Sequence, residues 1–301
     1  MRQGLPLLIL LGANLLWGAS FVVSKSALEQ LTPLQLSAGR MILAGLIVLP
    51  WLLREQVRGA LPLRAWPILA LLGVLAFGAS KFLGYWGLSL TSATDASLLI
   101  SVEPLFTIAL GWLLLREALT RRRIAAFALG AAGAWLLIAR GLRLPELSAA
   151  HVVGDLVFLL GLVAEAVCSV LGKRQLRRHS ALLVTAAMIV ASLGLWLPIA
   201  VGETLRGGWP ALSLATAGAI VYVALGCTVL AYWAWFRALA HLEAGLVALS
   251  LFVQPVWGAA LSIWLLGEPL RPATLAGGAL VLASLYLALR PAVRGKPAPR
   301  P

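Results

Sequence analysis

The sequence predicts an all-α polytopic membrane protein: ten transmembrane helices as two inverted five-helix repeats, with the N- and C-termini cytoplasmic. Three observations carry this expectation. Hydrophobic residues make up 61% of the 301-residue chain and charged residues only 12%, against about 45–50% and about 25% in soluble domains. The apolar residues gather in runs of membrane length, roughly 20 residues each, parted by short charged or turn-rich connections. The two halves of the chain also repeat one another weakly.

Taken in order, the runs place spans at residues 5–26, 33–53, 65–88, 92–115, 122–140, 152–173, 181–201, 211–238, 244–266 and 272–290. Their Ala-Leu richness favours helices, and the alternation of an outer-membrane barrel is absent. Met1-Arg2 before the first run mimics a signal peptide. The run continues to Val23, however, and the repeat uses it, so it is read as a retained helix. The third and eighth runs are long enough to tilt or to begin as interfacial helix.

Orientation follows from the basic residues. With the N-terminus inside, seventeen Lys and Arg fall on the inner side, including Arg121 to Arg123, Lys173, Arg174, Arg177 and Arg178. Five fall outside: Lys25, Arg140, Arg143, Arg206 and Arg271. The positive-inside rule therefore puts both termini in the cytoplasm. The net charge of +13 is the mark of this topology, and nucleic acid is not an expected partner. Trp51, Trp66 and Trp209 at run edges suit the interfacial aromatic belt.

Shifted by 151 residues, Ala93–Gly130 falls on Ala244–Val281 without a gap, so that Pro104 meets Pro255 and Glu117 meets Glu268. Nearer the N-terminus a shift of 148 places Lys25 on Lys173 and Leu49-Pro50 on Leu197-Pro198. The expected units are 1–143, 144–290 and a basic, proline-rich tail, 291–301. Five spans per half, an odd number, inverts the second copy, as in many secondary transporters.

Leu15-Leu16-Trp17-Gly18-Ala19-Ser20-Phe21, Ser37-Ala38-Gly39-Arg40-Met41 and Glu103-Pro104-Leu105-Phe106 followed by Leu115-Arg116-Glu117 resemble the EamA branch of the drug/metabolite transporter superfamily. Gln254-Pro255-Val256 and Leu266-Gly267-Glu268 repeat the last element in the second half. The resemblance implies ten helices, a central cavity, and export of small metabolites, often amino acids. Met188 stands where the first half has Arg40, so the halves differ chemically.

Ionisable groups inside a bilayer are costly and are functional candidates by default. Arg40, Lys81, Asp95, Glu103 and Glu165 qualify. Glu103 lies roughly 17 Å into its span at 1.5 Å per residue, and Pro104 beside it frees a backbone carbonyl. It is either a titratable pathway group or a structural carboxylate paired with Arg40 or Lys81. Gln254-Pro255 is the uncharged counterpart. Arg40 and Lys81 either line a pathway or snorkel to outer headgroups, with Tyr85 one turn beyond Lys81. Asp95 reads best as a cap of its span.

Asn14, Trp17, Phe21 and Ser24 share one face of the first helix, and Glu165 takes Trp17's place in the second half. Thr228, Tyr232 and Trp235 form a similar face, with Tyr232 matching Lys81. The expected solute or ion pathway is thus Asn14, Trp17, Arg40, Lys81, Tyr85, Glu103, Glu165, Tyr232 and Gln254, with helix breaks at Pro104 and Pro255.

His151, His179 and His241 stand at loop ends without partners at ligand spacing, and Cys168 and Cys227 sit in apolar runs. No metal and no cofactor are expected. Hydrolase, diphosphate-binding and phosphate-loop motifs are absent, so the chain is expected not to be an enzyme. Its expected partners are the lipid bilayer, a small-molecule solute and, through Glu103, protons. The expected unit is a monomer or homodimer. Exporters of drugs or other organic solutes, and lipid flippases, share these features. A zwitterion with an apolar part suits a buried set of both signs.

Overall fold

The computed structural model describes residues 4–91, 96, 99–138, 149–257, 260 and 272–289; Asp95 and Glu268 lie outside them. The described residues form helices and short connections, with no strand among them. The helices are α1 (Gly4–Ala27), α2 (Pro33–Val57), α3 (Leu63–Leu90), α4 (Ile100–Leu115), α5 (Arg121–Ile138), α6 (Ala149–Gln175), α7 (Ala181–Arg206), α8 (Leu214–His241), α9 (Ala244–Trp257) and α10 (Pro272–Leu289). Among the described residues six, α1, α2, α3, α6, α7 and α8, are long and apolar enough to cross a membrane. Large apolar side chains on the outside of the bundle, such as Val22, Leu46, Leu113, Leu160 and Leu230, are exposed. Lipid is the solvent that such a surface requires.

Short polar side chains start several helices. Thr32, Ser180 and Ser213 accept from the backbone N–H of Gln35, Leu183 and Thr216 at 3.1, 3.3 and 3.1 Å. Each satisfies a donor that the first turn leaves without a partner. Gln35 returns the bond to the Thr32 N–H, completing a capping box.

Packing runs across the halves. α1 lies on α8 and α3 on α6, while α2 pairs with α7, α4 with α9 and α5 with α10. Exchanging the halves maps this set of pairs onto itself. Small residues permit the closest approaches. A Cβ on Gly73 of α3 would stand 2.3 Å from the Met188 carbonyl oxygen of α7, and one on Gly87 would stand 2.7 Å from the Gly154 oxygen of α6. Backbones this close are the usual means of joining helices in lipid, where apolar burial drives little.

In the long third and eighth runs α3 and α8 each pass through a wider π-helical stretch, Val74–Ala79 and Tyr222–Leu230. Widened turns leave carbonyls poorly satisfied, and in a bilayer a neighbour must supply the donor. The Trp196 indole N–H donates to the Phe77 oxygen at 2.8 Å, and that of Trp17 to the Cys227 oxygen at 2.9 Å. One half therefore props each π stretch of the other.

Neither proline interrupts its helix at its own position. Tight 3-10 turns at Ile100–Val102 and Ser250–Phe252 precede Glu103 and Gln254, and α-helix resumes from the residue after each turn. Pro104 sits within the first two positions of the resumed helix, where proline's missing N–H costs nothing.

Contacts between connections sort them into two ends. At one, Lys25 Nζ donates to the Leu88 and Thr91 oxygens, Thr91 Oγ1 to Asp155, and Gln35 to the Gly208 oxygen. At the other, Lys173 meets Glu117, Arg174 donates to the Leu114 oxygen, and Arg123 pairs with Glu243.

Candidate functional site

A cavity of about 120 Å³ lies between the halves, bordered by α1, α2, α3, α4, α6, α8 and α9. Eight of the nine expected pathway residues line it: Trp17, Arg40, Lys81, Tyr85, Glu103, Glu165, Tyr232 and Gln254. Asn14 does not. It is fully buried behind the wall, donating to the Ser250 hydroxyl at 2.9 Å and accepting from Gln254 Nε2 at 3.1 Å. It holds the Gln254 amide through that bond. The lining runs from Tyr232 and Trp235 to Ser24 and Leu88, beside the carbonyl that holds Lys25.

The charges divide into a satisfied group and an unsatisfied one. Glu165 Oε2 accepts from Lys81 Nζ at 2.8 Å and from Ser80 Oγ at 2.7 Å, while Oε1 accepts from Tyr232 at 2.6 Å. The Lys81 ammonium also stands 5.0 Å from the centre of the Tyr232 ring. This carboxylate is fully engaged, and Lys81 is tethered rather than snorkelling outward.

Arg40 is 5% exposed. Its guanidinium donates to Thr228 Oγ1 and, at 2.7 Å, to Tyr85; among the described residues it meets no carboxylate. Thr228 in turn donates to the Val223 oxygen at 2.8 Å, so Arg40 rests on the π stretch of α8. Snorkelling does not describe it.

Glu103 is 2% exposed and lines the same cavity. Among the described residues it forms no ion pair, so the structural pairing with Arg40 or Lys81 is not formed. Gln254, its counterpart, has a buried Oε1 with no hydrogen bond among the described residues. Asn14 fixes that orientation by accepting from the amide nitrogen. Glu103 and Gln254, at repeat-related positions, thus line a cavity that also holds a guanidinium.

Aromatic rings form much of the remaining wall. Trp17 meets Tyr232 and Trp235 edge-on, with ring centres 5.3 and 5.4 Å apart. Phe21 and Phe158 lie 6.4 Å apart. Ser80 and Phe158 were not legible as site residues. Ser80 carries no pattern beyond adjacency to Lys81, and Phe158 is one apolar residue among many. No group of three or more His, Cys, Asp or Glu side chains suited to a metal occurs among the described residues.

Apolar helices of membrane-crossing length, two interleaved halves and a cavity with polar walls between them define the class: a membrane transporter. The model of the EamA-like transporter family matches residues 4–139 and again 152–290, and the chain belongs to that family. It is a multi-pass protein of the plasma membrane. An uncharacterized transporter of Archaeoglobus fulgidus is 29% identical over 286 residues, 93% of this chain and 96% of its own. A probable amino-acid metabolite efflux pump of Salmonella typhimurium is 29% identical over 282 residues, 90% of each chain. A solved crystal structure superposes with a TM-score of 0.76 at 21% identity, covering 95% of this chain and 97% of the other, and shares the fold.

Proposed function

We propose that this transporter carries a zwitterion, an amino acid or amino-acid derivative, out of the cell by alternating access. The observation that carries the reading is the set of cavity groups without a counter-charge. Lys81 and Glu165 neutralise one another. Among the described residues Arg40 meets no carboxylate, Glu103 forms no ion pair, and Gln254 Oε1 has no hydrogen-bond partner. An isolated buried charge costs several kcal/mol. A solute carboxylate at Arg40 and its ammonium between Glu103 and Gln254 would satisfy all three, with an apolar side chain against the aromatic wall. The outward direction takes its support from the named activity of the Salmonella relative. Glu103 can take a proton when the ammonium leaves, which would couple the cycle to the proton gradient.

The test is thermal stabilisation of purified protein by a panel of amino acids, their decarboxylated amines and their N-acetylated forms. A ligand at about 100 times its Kd adds roughly 2.7 kcal/mol, so a bound solute is visible. Stabilisation should need both ionic groups, and amines or N-acetyl acids that stabilise equally would overturn the zwitterion reading. Arg40→Gln is expected to weaken binding about tenfold to a hundredfold, the value of a hydrogen bond to a charge. An unchanged affinity would remove Arg40 from the site.

The same reading places both termini in the cytoplasm, on the charge bias between the two ends of the bundle. Reporters fused after Arg123 and Arg178 are expected to read cytoplasmic, and one after Arg206 external. A periplasm-active reporter at Arg178 would break the inverted arrangement.

A further inference from the structure

The cavity lining extends toward the Lys25 end of the bundle, through Ser24 and Leu88. At the other end a cluster of charges binds the two halves together. Glu117, in the connection between α4 and α5, accepts from Lys173 of α6 at 2.8 Å. The same carboxylate accepts from the backbone N–H groups of Ala244 and Gly245 at the start of α9, at 2.9 and 3.3 Å. Lys173 also donates to the Leu242 oxygen at 2.6 Å. Arg174 donates to the Leu114 oxygen, and Arg123 pairs with Glu243. Every one of these contacts except Lys173 to Leu242 joins residues 114–123 of the first half to residues 173–174 or 243–245 of the second.

The Glu117 and Lys173 side chains are only 10% and 23% exposed. Burial would raise the Glu117 pKa, but Lys173 and the two N–H groups outweigh it and hold the carboxyl below its ordinary value. The pair therefore stays charged and engaged. None of the cluster's residues lines the cavity. Glu165, Ser169 and Lys173 lie four residues apart on one face of α6, running from the cavity wall to the cluster. Ser169 between them is 1% exposed and accepts from the Trp235 indole at 3.0 Å.

We propose that Glu117 and Lys173 are the closed gate at the end of the bundle opposite Lys25, which must part for the cavity to open to that side. This rests on the transporter reading but not on any substrate. The repeat supports it. Lys25, the counterpart of Lys173, donates to the Thr91 oxygen at 2.6 Å, as Lys173 does to Leu242, the residue 151 positions on. The lysine-to-carbonyl half of the device thus stands at both ends.

The experiment uses sealed membrane vesicles of both orientations and a charged, membrane-impermeant thiol reagent. Ser169→Cys, with Cys168 and Cys227 changed to Ser, reports opening; Arg178→Cys, at an exposed position, identifies the gate side independently of any topology. With the gate intact, Cys at 169 should react slowly from that side. Glu117→Gln and Lys173→Met should each speed labelling from that side about tenfold or more, as a population shift requires. Because either variant could loosen the whole fold, a second arm adds Gly111→Cys with Ala244→Cys. A Cβ on Gly111 would lie 3.9 Å from that of Ala244, within disulfide range. Oxidation should return the fast variants to slow labelling, and reduction should reverse this. Unchanged labelling in both variants, or fast labelling that persists after cross-linking, would overturn the gate. Neither result depends on the solute, so failure of the zwitterion reading would be seen separately.

Discussion

Glu103→Gln is expected to insert and accumulate at near-normal levels yet lose most gradient-dependent flux, about tenfold or more per folded molecule. Among the described residues Glu103 forms no ion pair, so neutralising it strands no buried cation. The usual reason for a folded-state penalty, a charge left alone in the interior, does not arise. Transport does need the charge under the proposed scheme, because an amide oxygen attracts an ammonium weakly and takes up no proton. The substitution also makes this position match Gln254 in the other half. Gln254→Ala should lose less flux, since it removes one neutral acceptor. The check is counterflow or efflux from proteoliposomes, normalised to monodisperse protein. Near-normal flux in Glu103→Gln would end the mechanistic role, and poor accumulation with normal specific flux would return it to a structural one.

The largest effect on folding is expected at Gly73. Its position against α7 puts an added Cβ 2.3 Å from the Met188 carbonyl oxygen and 3.0 Å from the carbonyl carbon. Backbone atoms of a packed helix cannot turn aside as a side chain can, so α3 and α7 must separate. Overpacking of cores costs typically about 1–3 kcal/mol, and Gly73→Val, with three added carbons, should exceed that range. The expected outcome is loss of most monodisperse protein. Gly194→Ala is the control: it is also inside a helix, but nothing lies within 4 Å of its added Cβ. Helix propensity alone would then favour alanine by up to about 1 kcal/mol. Thermal midpoints of the two purified proteins test the contrast, and a stable Gly73→Val would show that this contact can relax.

Much of the site was legible because charge inside an apolar run is conspicuous. Arg40, Lys81, Glu103 and Glu165 stand out against leucine and alanine, and all four line one cavity. Their partnerships were not legible. Lys81 and Glu165 are 84 residues apart and belong to different halves, so no local pattern could pair them or leave Arg40 and Glu103 apart. Asn14 shared a helix face with Trp17, yet α9 approaches so closely there that the amide is spent on Gln254. Glu117 was visible as a repeated motif residue. Its task depended on where Lys173 and the start of α9 arrive in space.

The sequence by itself determined the solvent, the helices and the family. Hydropathy, charge placement and helix signals are sums over neighbouring residues, and a bilayer requires every spanning backbone group to be satisfied within its own segment. The tertiary structure alone decided which charges cancel, which line the cavity without an ion pair among the described residues, and which side chains join the halves at each end. Those depend on distances of a few ångströms between residues far apart in the chain. Close-packed helices set such distances through single glycines, π stretches and indole donors that local sequence leaves unspecified.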